Sequence, residues 1–176
     1  SVEVAVELID MRTHKGAHPR MGAVDVVPFI PIREVDTKDC IEYANTVASA
    51  IRDMGIPVYL YEDAATKPER KNLAKVRKGQ YEGFFEKIKE DEWTPDYGPK
   101  EMNEKSGATA VAARFHLIAF NVNLNTEDEE IADKIAKKVR HIGGGLRYVK
   151  AIGLPLEEKK QVQVSMNLVN FEKTAV

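Results

Sequence analysis

Residues 108–124 read ATAVAARFHLIAFNVNL and form the most apolar run in the chain. This length and composition predict either one long strand or two short strands. The preceding residues, 91–107, carry Pro95, Gly98, Pro99 and Gly107 without any periodicity, which is typical of a long ordered loop or an inter-domain linker. We therefore expect two subdomains, one over residues 1–106 and the other over residues 107–176.

A helix and two strands are expected after the apolar run. Thr126 and Glu129 have the spacing of a capping box and predict a helix over 127–141. Three consecutive glycines, 143–145, end that helix, and residues 146–152 and 161–171 predict two further strands. The second half thus has the order βαββ.

The first half has the order ββαβ. Residues 2–9 alternate apolar and acidic side chains and predict a strand with one wet face. Residues 24–32 predict a second strand, placed at a sheet edge because Pro28 and Pro31 cannot donate hydrogen bonds. The remaining elements are a helix with Thr37 as its expected N-cap and Gly55 as its stop, a strand over 57–62, and two short helices within 69–90.

These element orders predict the fold class. A ferredoxin-like, or split βαβ, unit runs βαββαβ, with helices on one face of an antiparallel sheet. The chain is then α+β, with tandem ferredoxin-like subdomains and antiparallel sheets. Both subdomains are incomplete, because the first lacks an opening βα and the second lacks a closing αβ.

Composition excludes several classes of function. A formal net charge of -2, from 26 basic and 28 acidic residues, argues against a nucleic-acid-binding protein that relies on phosphate contacts. No stretch approaches the length of a membrane-spanning helix. The single cysteine, Cys40, cannot form an intrachain disulfide and is typical of a reducing compartment, so we expect a cytoplasmic protein.

The loop between the first two predicted strands is longer than a hairpin needs and carries unusual chemistry. It holds two imidazoles, His14 and His18, with Arg20 close behind. Pro19 disfavours helical torsions at His18, so this imidazole is held on an extended backbone, as suits a positioned proton acceptor. Two solvated surface histidines would fit equally well. Gly16 and Pro19 oppose the helix that a zinc site with both histidines would need, so no metal is expected.

The residues in and around this loop resemble a known family. The strings LIDM (8–11), GAHPRMGAVD (16–25) and PFIP (28–31) closely resemble the formiminotransferases, also called glutamate formimidoyltransferases. Further matches follow in the same order along the chain: PVYLY (57–61), Trp93, PDYGP (95–99), GAT (107–109), IAFNVNL (118–124) and QVSMNL (163–168). Relative to that family, the chain lacks the usual N-terminal start and much of the second subdomain.

The resemblance implies a function and a set of site residues. Family members transfer a formimino group between L-glutamate and N5 of tetrahydrofolate, which serves as substrate and one-carbon carrier, and they use two ferredoxin-like subdomains. The catalytic histidine of the family falls on His18, the expected general base. The folate-contacting loop of the family falls on ten consecutive residues: Gly98, Pro99, Lys100, Glu101, Met102, Asn103, Glu104, Lys105, Ser106 and Gly107.

Several points stay open at this stage. Arg20 fits recognition of a substrate carboxylate, and it equally fits a structural salt bridge. A folate- or pterin-binding module without activity, and a glutamate formyltransferase that uses 5-formyltetrahydrofolate, are alternative functions. An RNA-binding module of the same fold would need a basic surface that this chain lacks. A homodimer is expected, because uncovered strand edges need a partner chain.

Overall fold

In the computed structural model, which describes residues 1–15 and 19–174, each half of the chain is built around a three-stranded sheet. The two units are Ser1–Arg114 and Phe115–Val176. The α+β class is confirmed. The division lies after Arg114, where we had expected it at 106/107, because the first strand of the apolar run belongs to the first sheet.

The first unit follows this chain order: α1 (Val2–Leu8), β1 (Val26–Phe29), α2 (Thr37–Arg52), β2 (Val58–Glu62), α3 (Leu73–Val76), α4 (Gln80–Lys87) and β3 (Thr109–Ala113). Two short helices within residues 69–90 are confirmed. The apolar run forms two strands, β3 and a strand of the second unit that begins at Ile118. Of the two alternatives, two short strands are therefore correct and one long strand is not.

The expectation of a strand over residues 2–9 was wrong, since α1 occupies that segment. The alternating pattern also places Val2 and Val6 four residues apart, and residues with this spacing lie on the same face of a helix. Both of these side chains pack against the core cluster that contains α2, while Val4 stays exposed. Packing of this i, i+4 pair explains why the helix is found.

The first sheet has the strand order β1-β3-β2, and both strand pairs are parallel. This corrects the expectation of antiparallel pairing for this half of the chain. The cause lies in the connections, because helices and long loops join the strands and carry the chain back to the same end of the sheet. As Pro28 required, β1 is an edge strand.

Successive residues of β2 point to opposite faces of the sheet, and both faces are covered. Val58 and Leu60 pack with α2, which covers one face as expected. Tyr59 and Tyr61 pack on the other face against residues of α3 and α4 and against Trp93. The first sheet is therefore buried on both sides, as parallel sheets usually are.

Helix α2 shows clear start and stop signals. Its N-cap is Asp36 rather than the expected Thr37, and Asp36 and Asp39 form a capping box. Gly55 lies in the left-handed region, with φ at +74°, and ends the helix as the sequence indicated.

The second unit contains β4 (Ile118–Leu124), α5 (Glu129–Val139), β5 (Val149–Leu156) and β6 (Gln161–Leu168). Its order, βαββ, is the expected one, and the sheet β4-β6-β5 is antiparallel. The helix is shorter than expected and is capped by Asp128, whose side chain accepts from Glu130 N–H, instead of by Thr126. Helix α5 packs on one face of this sheet through Ala132 and Ala136.

No helix in the part of the chain that the structure describes is long and apolar enough to cross a membrane.

Candidate functional site

The predicted proton acceptor, His18, lies outside the described residues together with Gly16 and Ala17. The segments on either side of it are described. We therefore build the site from the residues that flank His18 and from the loop over residues 98–107.

Arg20, two residues after His18, forms a salt bridge with Glu82 on α4. Its two terminal nitrogens, Nη1 and Nη2, donate to the two carboxylate oxygens of Glu82 at 3.2 and 2.8 Å, and Nη2 also donates to the carbonyl of His14 at 3.0 Å. The hydrogen bond raises the pKa of Arg20 and lowers the pKa of Glu82. Of the two roles open for Arg20, the geometry supports a salt bridge.

Asp25 orients the chain just beyond Arg20. Its Oδ1 accepts a hydrogen bond from Met21 N–H at 2.8 Å, which closes a tight turn of the backbone. Its other carboxylate oxygen forms an ion pair with Arg77, the residue that caps the end of α3. Residues 20–25 are thus joined to α3 and α4 through two ion pairs that are distant in sequence.

The same segment meets the predicted folate loop backbone to backbone. Gly22 and Gly107 form an isolated antiparallel bridge, Ala23 N–H donates to Ser106 O at 2.8 Å, and Ala108 N–H donates to Met21 O at 3.0 Å. A Cβ on Gly107 would lie 2.7 Å from Gly22 Cα and closer still to the carbonyl of Met21. Glycine is required here because only bare backbone allows this approach.

The loop over residues 98–107 is itself tightly folded at its second half. Asn103 accepts from Ser106 N–H through its side chain at 2.9 Å and from Gly107 N–H through its carbonyl at 2.7 Å. Ser106 and Met102 are buried. Gly107 has φ at +72°, so the turn uses the left-handed conformation that glycine adopts freely.

Three further contacts fix the loop to its surroundings. The hydroxyl of Tyr81 donates to Glu104 O at 2.6 Å, and Met11 N–H donates to Lys105 O at 2.8 Å. Lys100 forms an ion pair with Asp91 at 2.6 Å, which lowers the pKa of that carboxyl group. Tyr81 is the neighbour of Glu82, so helix α4 contacts both segments of the site.

Gly98, Pro99 and Glu101 begin the loop at the surface. Gly98 has φ at +91°, and a Cβ there would lie 2.7 Å from the carbonyl oxygen of Ile56, so glycine is again required. Pro99 and Glu101 are exposed.

A cleft of about 270 Å³ lies between α4 and this loop. Its lining is part apolar and part charged, with two lysines and three glutamates: Phe85, Ile88, Met102, Lys89, Lys100, Glu86, Glu101 and Glu104. The apolar wall suits an aromatic ring. Each of the two ammonium groups already has a carboxylate partner, Glu86 for Lys89 and Asp91 for Lys100. Sequence reasoning had selected the loop residues but had missed the helix side of the cleft.

A buried network behind the loop was also missed. Arg70 is fully buried and pairs with Asp96, Nη1 to Oδ2, at 2.5 Å. Asp96 also accepts from Leu60 N–H at 2.8 Å, so it links strand β2 to the residues just before Gly98. The sequence holds no local signal for a pair of residues that lie 26 positions apart.

Other reactive groups have structural explanations. Burial raises the pKa of the Cys40 thiol, which keeps it protonated and unreactive at neutral pH. Among the described side chains, no cluster of three or more His, Cys, Asp or Glu residues could hold a metal ion.

Two family models match the chain. The formiminotransferase domain, N-terminal subdomain, matches residues 1–114, and the formiminotransferase domain matches residues 119–176. The gap between these matches coincides with the boundary between the two structural units.

Curated relatives match along the whole chain. A glutamate formimidoyltransferase of Streptococcus pyogenes serotype M1 is 56% identical over 99% of this chain and 59% of its own length. A protein of the same name from Thermoplasma acidophilum is 46% identical over 99% of this chain and 58% of its own length. A formimidoyltransferase-cyclodeaminase of Rattus norvegicus is 46% identical over 100% of this chain and 34% of its own length. The chain thus spans less than two thirds of each of these relatives.

Proposed function

The chain belongs to the formiminotransferase domain family, and from that premise we propose that it acts as a glutamate formimidoyltransferase. The reaction moves a formimino group between 5-formiminotetrahydrofolate and L-glutamate. One observation carries the proposal: the backbone that follows His18 is bridged, Gly22 to Gly107, to the loop that the family resemblance assigns to folate. This bridge supports the proposal because it joins the described residues that follow His18 to the loop that we assign to folate.

His18 is the proposed general base. The α-amino group of glutamate is mostly an ammonium ion near neutral pH and cannot attack until it loses a proton. A neutral imidazole, with an ordinary pKa of about 6.5, accepts that proton. The amine nitrogen then forms a bond to the formimino carbon, and the resulting tetrahedral intermediate collapses as the bond from that carbon to N5 breaks. The imidazolium returns its proton to N5, so protons balance.

The loop from Gly98 to Gly107 is the proposed folate contact. The cleft between this loop and α4 supports that role, because Phe85 and Met102 offer apolar surface for an aromatic ring. Lys100 and Lys89 would bind the carboxylates of folate by exchanging their present partners, Asp91 and Glu86. Tetrahydrofolate enters as a substrate and one-carbon carrier, and the proposed reaction has no step that uses a metal.

We further propose a cytoplasmic homodimer. A single cysteine suits a reducing compartment. Strand β4 lies at the edge of the second sheet, and an edge strand is a ready surface for pairing with another chain. Sedimentation analysis of the protein tests the dimer directly, and a monomer at micromolar concentration would contradict it.

A turnover assay with 5-formiminotetrahydrofolate and L-glutamate tests the function, with wild type compared against His18→Ala. We expect kcat to fall by about 10²–10⁴-fold in the variant, which is the usual contribution of general-base catalysis. Folate binding should be retained in the variant, because the loop over residues 98–107 is unchanged.

His14→Ala is the matched control, since it removes an exposed imidazole from the same loop and keeps the carbonyl that Arg20 contacts. Equal losses in both variants would contradict a special role for His18. Turnover with 5-formyltetrahydrofolate in place of the formimino donor would identify a formyltransferase. Folate binding without turnover of either donor would identify a non-catalytic module.

A further inference from the structure

We propose that Glu82 is a positioning residue for the loop that carries His18, and that it acts through Arg20. This inference rests on the proposed function, because it takes His18 as the proton acceptor. Its basis is the arrangement of contacts around Arg20, which ties the ends of the loop to each other and to helix α4.

Arg20 contacts a described residue on the other side of His18 in the sequence. Its Nη2 donates to the carbonyl of His14 at 3.0 Å, so residues 14 and 20 are held together with His18 between them in sequence. A loop whose two ends are joined has fewer conformations than an open one, and each remaining conformation is more populated. Arg20 can hold the His14 carbonyl only while its own side chain is fixed.

Glu82 fixes that side chain. Both of its carboxylate oxygens accept from the guanidinium, a two-point contact that sets the plane of the group as well as its distance. The backbone is held at the same place, because Tyr81 N–H donates to Arg20 O at 2.8 Å. Adjacent residues of α4 therefore hold both the side chain and the main chain of Arg20.

The exposure of the Arg20–Glu82 pair indicates that the pair positions the loop and contributes little to the stability of the fold. The side chain of Arg20 is 14% exposed, whereas that of Glu82 is 64% exposed. Ion pairs of this kind contribute little to the free energy of unfolding, since solvent screens them. Their geometric effect is not reduced in the same way, and small displacements of a catalytic group lower rates strongly.

A substrate-binding role for Arg20 makes a different prediction. A substrate carboxylate that used the same two nitrogens would have to displace Glu82. Removal of Glu82 would then free Arg20 and lower the KM for glutamate. The positioning role instead predicts a lower kcat with an unchanged KM, because the substrate contacts lie elsewhere.

The experiment compares Glu82→Gln, Arg20→Lys and the double variant with wild type. We expect kcat to fall about 10-fold in Glu82→Gln and at least as far in Arg20→Lys, because a lysine cannot hold Glu82 and the His14 carbonyl in one plane. KM for both substrates should stay within about twofold. The double variant should lose no more than the larger single loss, since the residues act as one unit.

Glu130→Gln is the control, because it removes an exposed carboxylate that pairs with Lys134 on α5 in the second unit. Hydrogen exchange of peptides spanning residues 12–23 gives a readout that does not depend on turnover. Exchange there should rise in Glu82→Gln and remain at the wild-type rate in Glu130→Gln.

Each outcome decides the inference. An unchanged kcat, a changed KM for glutamate, or unchanged exchange over residues 12–23 would overturn it. A fall in activity that merely follows a fall in the amount of folded protein, measured as a lower Tm, would also overturn it. If wild type itself shows no transferase activity, the proposed function fails, and the exchange data alone decide whether Glu82 holds the loop.

Discussion

Two arginine–carboxylate pairs in the first unit have the same chemistry in different surroundings. Arg70 and Asp96 are 0% and 7% exposed, while Arg20 and Glu82 are 14% and 64% exposed. The first pair lies within the core, and the second lies where a loop meets helix α4. Burial decides what the loss of one partner does: it leaves an unpaired charge in the core at the first pair, and at the second pair, as proposed above, it releases a segment.

The buried pair is surrounded on every side. Arg70 donates to the carbonyls of Glu92 and Thr94, and its guanidinium lies over the rings of Tyr59 and Trp93. A charge removed from water in this way is tolerated because both terminal nitrogens of the guanidinium are hydrogen-bonded and a carboxylate neutralises it. Loss of one partner should therefore cost far more here than at the surface.

The largest effect is expected from Arg70→Met. The change leaves the carboxylate of Asp96 buried without its cation, and such losses typically lower the free energy of unfolding by about 3–5 kcal/mol. Urea denaturation measures this loss in the free energy of unfolding. Arg52→Met, which breaks the exposed pair with Asp53, should cost less than about 1 kcal/mol. Similar losses in the two variants would remove the distinction between buried and exposed pairs.

A second substitution tests the backbone contact between Gly107 and residues 21–22. Gly107→Ala should lower stability by about 3 kcal/mol, from about 1 for the left-handed backbone and about 2 for the clash with Met21 and Gly22. Transferase activity should fall with it. Gly55→Ala is the control, because its φ of +74° is similar but nothing lies near its Cβ, so only about 1 kcal/mol is expected.

Two tyrosine hydroxyls allow the core and the loop over residues 98–107 to be compared through one hydrogen bond each. The hydroxyls of Tyr59 and Tyr81 each donate to a backbone carbonyl at 2.6 Å, Tyr59 to Trp93 in the core and Tyr81 to Glu104 of the proposed folate loop. Either change to phenylalanine should cost about 1 kcal/mol. Only Tyr81→Phe should also raise the KM for folate, by a few-fold. A raised KM in both variants would contradict the assignment of the loop.

The smallest effect is the pH dependence of the Arg20–Glu82 pair. The hydrogen bond from Arg20 lowers the pKa of Glu82 from 4.5, so its stabilisation is present above that value and is lost as pH falls through the lower folded pKa. Wild type should exceed Glu82→Gln in Tm by at most about 2 °C at pH 7, because the pair is exposed. The two curves should converge at a pH well below 4.5. A difference that persists at that pH would exclude the pair as its cause.

Local patterns predicted the elements that depend on neighbouring residues. Pro28 indicated an edge strand, Gly55 a helix stop, and residues 118–168 a βαββ order, and all three are found. The segment over residues 2–9 was predicted wrongly, because Val2 and Val6 fit a strand face and a helix face alike.

Contacts between distant residues could not be predicted. The Arg20–Glu82 pair spans 62 positions and the Arg77–Asp25 pair spans 52, and neither leaves a periodic signal in the sequence. The parallel order of the first sheet has the same origin, since it depends on where each crossover returns the chain. The loop over residues 98–107 was selected by resemblance, but the reason for its glycines became visible only from the carbonyls that they approach.

The Gly22–Gly107 bridge also affects how the protein is made. Its two residues lie 85 positions apart, so the bridge cannot form on the ribosome until the chain has grown past Gly107. At about 5–20 residues per second, the His18 loop waits roughly ten seconds for its partner. Strand β1 waits as well, because β3 is its only neighbour in the sheet among the described residues. The two segments of the site therefore meet only several seconds after the first of them is made, and until then the nascent chain depends on its helices for order.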